Sequence, residues 1–204
     1  MKKIILTTIN AKWIHPSLAL RLLKANLGPL EETCQIMEFA LRQPLSEKTA
    51  PLLAAFASGD RPQILGISVS IWNHTATIEL LEELEKSWSN TQVQKPIIVL
   101  GGPEVSHLSP EANIFKYADY IICGEGETPF RLLCEDILAG KNNILRVGAE
   151  NPARPQYFIY NFSEDLNTTK TAYHLYTNED LAKKLIYVES SRGCPFSCDF
   201  CLSA

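Results

Sequence analysis

The residues best equipped for chemistry crowd into one stretch near the carboxyl end: Cys194, Cys198 and Cys201, spaced C-x3-C-x2-C. Three thiolates this close can wrap a single metal centre. Three is one short of the four that close a structural zinc site or an ordinary iron–sulfur cluster. A [4Fe–4S] cluster held by three cysteines leaves one iron open to an exogenous ligand. The alternatives are a zinc knuckle with its fourth ligand elsewhere, or a chance group of reduced thiols. The paired C-x2-C halves usual in zinc sites are missing. The other cysteines, Cys34, Cys123 and Cys134, sit in apolar stretches, where a thiol packs as a small hydrophobe.

A second set of residues is suited to backbone contact with a large ligand. Ser68 and Ser70 alternate with Ile67 and Val69, followed by Trp72 and Asn73. Gly101-Gly102-Pro103 follows an aliphatic run, as does Gly124-Glu125-Gly126-Glu127. Glycine and serine let a ligand approach the main chain closely. Each set also has a plainer reading: glycine pairs are common in α/β turns, the serines can bond neighbouring backbone, and Glu125 and Glu127 can serve a helix N-terminus.

These loops follow strand patterns. Ile4 to Thr8, Gln35 to Ala40, Ile64 to Ile71, Pro96 to Leu100 and Tyr120 to Cys123 read as five strands, and helical patterns follow. The first helix opens at Pro16-Ser17 and ends near Gly28-Pro29. Leu18, Leu22 and Ala25 form its inner side, widened by Leu23 and Leu27. Ser46 is expected to cap the second helix, Asn73 or Thr75 the third, and Ser109-Pro110-Glu111 to start a short fourth. Thr128-Pro129 starts the clearest helix, with Phe130, Leu133, Cys134, Ile137 and Leu138 inward. Such alternation predicts an α/β fold, a flavodoxin- or Rossmann-like doubly wound parallel five-stranded sheet in the order 2-1-3-4-5. Ligands of such sheets bind outside the carboxyl ends of the strands. The expected divisions are 1–140 for this domain, 141–184 for a linker, and 185–204 for a new strand, Leu185 to Glu189, with the cysteine loop. Thr177-Asn178-Glu179-Asp180 fits a capping box inside the linker.

Composition narrows the class. The 204 residues carry a net charge of -4, with 46% hydrophobic and 21% charged residues. That is ordinary for a globular protein and offers no basic surface for nucleic acid. No apolar run reaches the roughly 20 residues that span a bilayer. The opening Met1-Lys2-Lys3-Ile4-Ile5-Leu6 is too short for a signal peptide, so the expected setting is cytoplasmic, with reduced cysteines.

The cysteine spacing, Phe200 before the last cysteine, the preceding strand and the Arg192-Gly193-Cys194-Pro195-Phe196 lead-in together resemble the radical SAM superfamily. Behind a Rossmann-like domain, the layout resembles the cobalamin-binding radical SAM enzymes, of which anaerobic magnesium-protoporphyrin monomethyl ester cyclases are one kind. The resemblance implies cluster ligation by Cys194, Cys198 and Cys201, with Phe200 beside bound S-adenosylmethionine. It implies cobalamin contacts at Ser68, Ser70, Trp72, Gly101, Gly102, Pro103, Gly124, Glu125 and Gly126. The D-x-H-x-x-G motif of many cobalamin domains is missing. His15 lies near its place, and the implied alternative is cobalamin without a histidine ligand, its lower face covered by Trp13 or Trp72.

The function so implied is reductive cleavage of S-adenosylmethionine followed by methyl transfer or oxidative cyclisation, a methyltransferase or oxidoreductase fed electrons by flavodoxin or ferredoxin. The chain is expected to be the front of a longer protein with a truncated barrel, inactive alone and at most a cobalamin-binding module. A competing expectation is a radical SAM enzyme whose Rossmann-like domain has lost cobalamin and serves substrate binding or assembly.

Overall fold

The run Ile4–Asn10 is aliphatic and β-branched, and it forms β1, buried on both faces along nearly its whole length. A computed structural model describes residues 2–57, 62–91, 94–141, 157–162 and 165–193. The other strands are β2 (Cys34–Ala40), β3 (Ile64–Ser68), β4 (Ile97–Gly101), β5 (Tyr120–Gly124) and β6 (Tyr157–Phe162). Every pairing is parallel, in the order β2-β1-β3-β4-β5-β6. The five expected strands take their expected order. β6 is an addition, drawn from the segment the sequence marked as linker. Its residues Tyr157, Phe158, Ile159 and Tyr160 are strong strand formers, although the aromatics beside Pro152 and Pro155 read in sequence as an ordered, packed linker.

The helices cover both faces. On one, α2 (Leu45–Ala57) and α3 (His74–Asn90) bring Leu52, Phe56, Leu80, Leu81, Leu84 and Trp88 onto Ile5, Ile9, Leu65, Leu100 and Ile121. On the other, α1 (Leu18–Ala25) and α5 (Glu127–Leu138) bring Leu20, Phe130, Leu133, Cys134 and Ile137 onto Ile4, Leu6, Ile64, Val99 and Ile122. The short α4 (Pro103–His107) follows β4 directly.

Several helix details differ from expectation. In α1, Leu20 is fully buried, while Leu18 and Leu22 are only partly so. Ser17 caps α1 by accepting from the Leu20 amide. α2 begins at Leu45, so Ser46 lies inside it and caps nothing. Residues 109–111 form a turn, and the helical turn comes later, as a 3-10 segment over Asn113–Tyr117.

The linker packs onto α1 through charge. The predicted capping box holds: Thr177 accepts from the Asp180 amide, and Asp180 accepts from the Thr177 amide, starting α6 (Asn178–Lys183). Buried Arg21 of α1 donates to Glu38 of β2 at 2.8 Å and to Asp180 at 3.0 Å, and its guanidinium lies 4.8 Å from the Tyr176 ring centre. Burial pushes the Asp180 carboxyl up, but Lys184, the Thr177 backbone and side chain, and Arg21 outweigh it and hold the carboxyl well below the usual range.

Leu185 to Glu189, expected as a strand, pairs with no strand among the described residues. Side chains take the place of a ladder there. Tyr176 Oη donates to the Tyr187 carbonyl at 2.9 Å, and Tyr173 Oη donates to the Glu189 carbonyl at 3.0 Å. The Leu185 amide donates to the Ile14 carbonyl at 3.0 Å. No described helix is long and apolar enough to cross a membrane.

Candidate functional site: a cavity at the carboxyl edge

The parallel sheet brings the loops after β1, β3, β4 and β5 to one edge, and hydrogen bonds stitch these loops together. The Val69 amide donates to the Gly101 carbonyl at 2.8 Å, and the Glu104 amide to the Val69 carbonyl at 3.2 Å. Gly102 makes this crossing possible. Its φ is +103°, and a Cβ there would lie 2.5 Å from the Val69 carbonyl oxygen. Ser106 Oγ donates to the Gly102 carbonyl at 3.1 Å and accepts from the Gly124 amide at 3.0 Å, tying β4's loop to β5's.

Asn73 is the second tie. It caps α3 by position only, with no side-chain cap bond. Its buried amide instead accepts from the Ser70 amide at 2.8 Å and donates to the Ile9 carbonyl at 3.0 Å and Thr8 Oγ1 at 3.2 Å. Thr8 Oγ1 donates in turn to the Ser68 carbonyl at 2.8 Å. One side chain thus joins the end of β1 to the loop after β3.

Below this edge, on the face covered by α1 and α5, lies a cavity of about 390 Å³, within the usual range for small-molecule sites. Leu6, Leu20, Leu23, Val99, Ile122 and Phe130 supply its apolar walls. Gly66 keeps its floor low, since a Cβ there would meet Leu6 at 2.8 Å and the Phe130 ring at 3.1 Å. Of the expected cobalamin contacts, Ser68, Gly101, Gly102, Pro103, Gly124, Glu125 and Gly126 line this cavity. Ser70 and Trp72 do not. Ser70 is buried and engaged with Asn73, and Trp72 stands on the outer rim, 54% exposed. Trp13, Ile14 and Ile71 are exposed as well, so the described rim carries unusual apolar surface. The Lys184 ammonium lies 5.1 Å from the Trp13 ring centre. His15 Nδ1 is 2.5 Å from Tyr187 Oη.

Glu189 and Arg192 close one side of the cavity. Arg192 Nε donates to Glu189 at 3.0 Å, Nη1 to Glu125 at 3.4 Å, and Nη2 to Glu127. Burial by itself would lower the guanidinium's pKa. The hydrogen bond and charge of Glu127, with those of Glu189, overcome this and hold it above the ordinary value. In the sequence Arg192 stands out only as part of the cysteine lead-in, and Glu189 only as the end of a strand pattern. Their three-carboxylate arrangement had no local signal, because Glu125 and Glu127 lie 67 and 65 residues away.

Cys194, Cys198, Cys201 and Phe200 lie outside the described residues. Among the described residues no group of three or more His, Cys, Asp or Glu side chains is placed to hold a metal. Cys34, Cys123 and Cys134 are free and buried. Burial pushes the Cys34 thiol up to about 12 and Cys123 to about 11, so both stay protonated and unreactive near neutral pH.

Comparison with known proteins agrees with this geometry. Residues 4–134 match the B12 binding domain family. The chain is 28% identical over 156 residues to the 2-(S-pantetheinyl)-carbapenam-3-carboxylate methyltransferase of Streptantibioticus cattleyicolor, a match covering 69% of this chain and 22% of that enzyme. The radical S-adenosylmethionine methyltransferase TsrM of Kitasatospora setae, solved with cobalamin and a [4Fe–4S] cluster, shares the fold with a TM-score of 0.53 at 19% identity, over 84% of this chain and 31% of that one. TsrM with its tryptophan substrate and a SAM analogue gives a TM-score of 0.50 at 21% identity, over 70% and 27%. The chain thus spans less than a third of the length of each relative.

Proposed function

The chain belongs to the B12 binding domain family, and from that premise we propose that it holds cobalamin at the carboxyl edge of its sheet as the front part of a cobalamin-dependent radical SAM enzyme. The observation that carries this reading is the cavity under β3, β4 and β5. Its residues fit the group. A low apolar floor over Gly66 suits a heterocyclic nucleotide tail, and Ser68 with the glycine-lined loops suits the adjoining sugar and phosphate. A corrin ring is too large for this space and fits the exposed apolar rim of Trp13, Ile71 and Trp72 instead.

In this reading Gly101, Gly102, Pro103, Gly124, Glu125 and Gly126 shape the walls and admit the tail close to the backbone. Ser70 acts only through Asn73, holding the loop after β3. Cys194, Cys198 and Cys201 supply three thiolates for a [4Fe–4S] cluster and leave one iron for S-adenosylmethionine, with Phe200 beside it. When bound, these cofactors supply a carbon-centred radical and a methyl carrier. Methyl transfer is the outcome favoured by the 28%-identical relative, with oxidative cyclisation the competing outcome. A small acidic electron carrier of the flavodoxin or ferredoxin type in the cytoplasm completes the proposal.

The test is anaerobic titration of the full-length protein with hydroxocobalamin, followed by gel filtration. Retention of about one corrinoid per chain is expected. Gly101→Val, whose side chain would project into space next to the Ile122 carbonyl without backbone strain, is expected to weaken binding at least about tenfold, or about 1.4 kcal/mol. A wild-type protein that keeps no corrinoid at micromolar concentrations would overturn the proposal and favour a Rossmann-like domain that has lost cobalamin.

A further inference from the structure

The Arg192 cluster joins two parts of the molecule that the proposed function treats separately. Arg192 lies two residues before Cys194, the first cluster cysteine of that reading. Its partners Glu125 and Glu127 belong to the loop after β5 and the first turn of α5, inside the cobalamin domain. All three guanidinium nitrogens are used, each on a different carboxylate. The centre of the arrangement is withdrawn from water, with the side chain of Arg192 14% exposed and that of Glu127 8%, while Glu125 and Glu189 are each 34% exposed. Arginine suits this role because its rigid planar fork can address several acceptors at once. If Arg192 swung away, three carboxylates would face one another, one of them buried and unpaired.

A purely structural ion pair could lie anywhere along the surface between the two parts. This one forms part of the cavity wall, since Glu125, Glu127, Glu189 and Arg192 all line it. Whatever fills the cavity therefore touches the same side chains that fix the approach to the cysteines. Resting on the proposed cobalamin and cluster sites, we propose that Arg192 is a positioning residue that links filling of the cavity to the path of the chain leading into Cys194. Linkage of this kind is reciprocal. Cluster assembly tightens the cavity's hold on its ligand, and filling the cavity favours cluster assembly by the same factor.

The experiment measures the hydroxocobalamin dissociation constant of the full-length protein twice, once as purified without iron and once after anaerobic cluster reconstitution. In the wild type the reconstituted protein should bind at least about fivefold more tightly. In Arg192→Gln, which keeps a polar side chain and loses the charge, that ratio should fall to one. Glu125→Gln removes the longest of the three bonds, at 3.4 Å, and should lower the ratio only in part. It also serves if Arg192→Gln fails to fold. Arg131→Gln, which breaks a surface pair with Glu135, should leave the ratio unchanged.

A wild-type ratio of one overturns the linkage, as does a full ratio in Arg192→Gln or Glu125→Gln, and either result leaves the cobalamin reading intact. A wild type that binds no corrinoid in either state overturns the cobalamin reading instead.

Discussion

Gly101 and Gly102 are neighbours with different work to do. Gly101 ends β4 in ordinary extended geometry, and a Cβ there would sit 3.6 Å from the Ile122 carbonyl. Gly102 holds a backbone conformation open almost only to glycine and lies against the backbone of Val69. Gly102→Ala should therefore cost about 1–3 kcal/mol, while Gly101→Ala should be nearly silent. Thermal unfolding of both variants checks this; equal melting temperatures would contradict it. The glycine pair stood out in the sequence, but which member is obligatory depends on Val69, 33 residues earlier, and no local pattern carries that. The cysteines divide more readably, because apolar neighbours mark Cys34, Cys123 and Cys134 for burial. In the native, metal-free protein at pH 8, alkylation mapped by mass spectrometry should spare these three. His15 was singled out by its place after β1, and the structure pairs it with Tyr187. His15→Ala should leave the visible spectrum of the cobalamin complex unchanged, and a shifted spectrum would identify it as a cobalt ligand.

At the scale of elements, periodicity located α1, α2, α3 and α5, missed α4, and read the inner side of α1 only in part, with Ala25 and Leu27 buried as expected but Leu20 left out. The expected stripe of Leu18 and Leu22 assumed that α1 packs on the sheet alone. Leu20 is buried against the sheet as well as lining the cavity, while Leu22 is only partly buried and lines the cavity without joining the core. Leu20→Ala should cost about 2–5 kcal/mol, whereas Leu22→Ala should affect ligand binding more than stability. α6 was legible from its capping box, but its partner Arg21 was not, lying 159 residues away. Asp180 is more acidic folded than unfolded, so its contribution is present above the ordinary carboxyl pKa and is lost as pH falls through and below it. Denaturation midpoints should thus drop between about pH 5 and pH 3. Asp180→Asn should be less stable at pH 7 and show a shallower decline; an unchanged slope would remove Asp180 from the account.

Across the whole molecule, the strand–helix alternation was enough to place the loops after β1, β3, β4 and β5 on one edge, because parallel strands must end together. It could not supply the cavity, which is bounded by residues of α1, α5 and Gly66 of β3, nor the contact between Arg192 and the β5 loop. It also set the domain boundary at residue 140, ahead of β6. That strand covers the outer flank of β5, from Tyr120↔Tyr157 to Gly124↔Phe162. A fragment cut at residue 140 would leave the outer side of the β5 backbone unpaired, inviting edge-to-edge pairing between copies. Such a fragment should precipitate or run as mixed aggregates, whereas one extended through the α6 region should stay dispersed. Limits for crystallisation or binding work on the isolated domain therefore belong beyond Lys184.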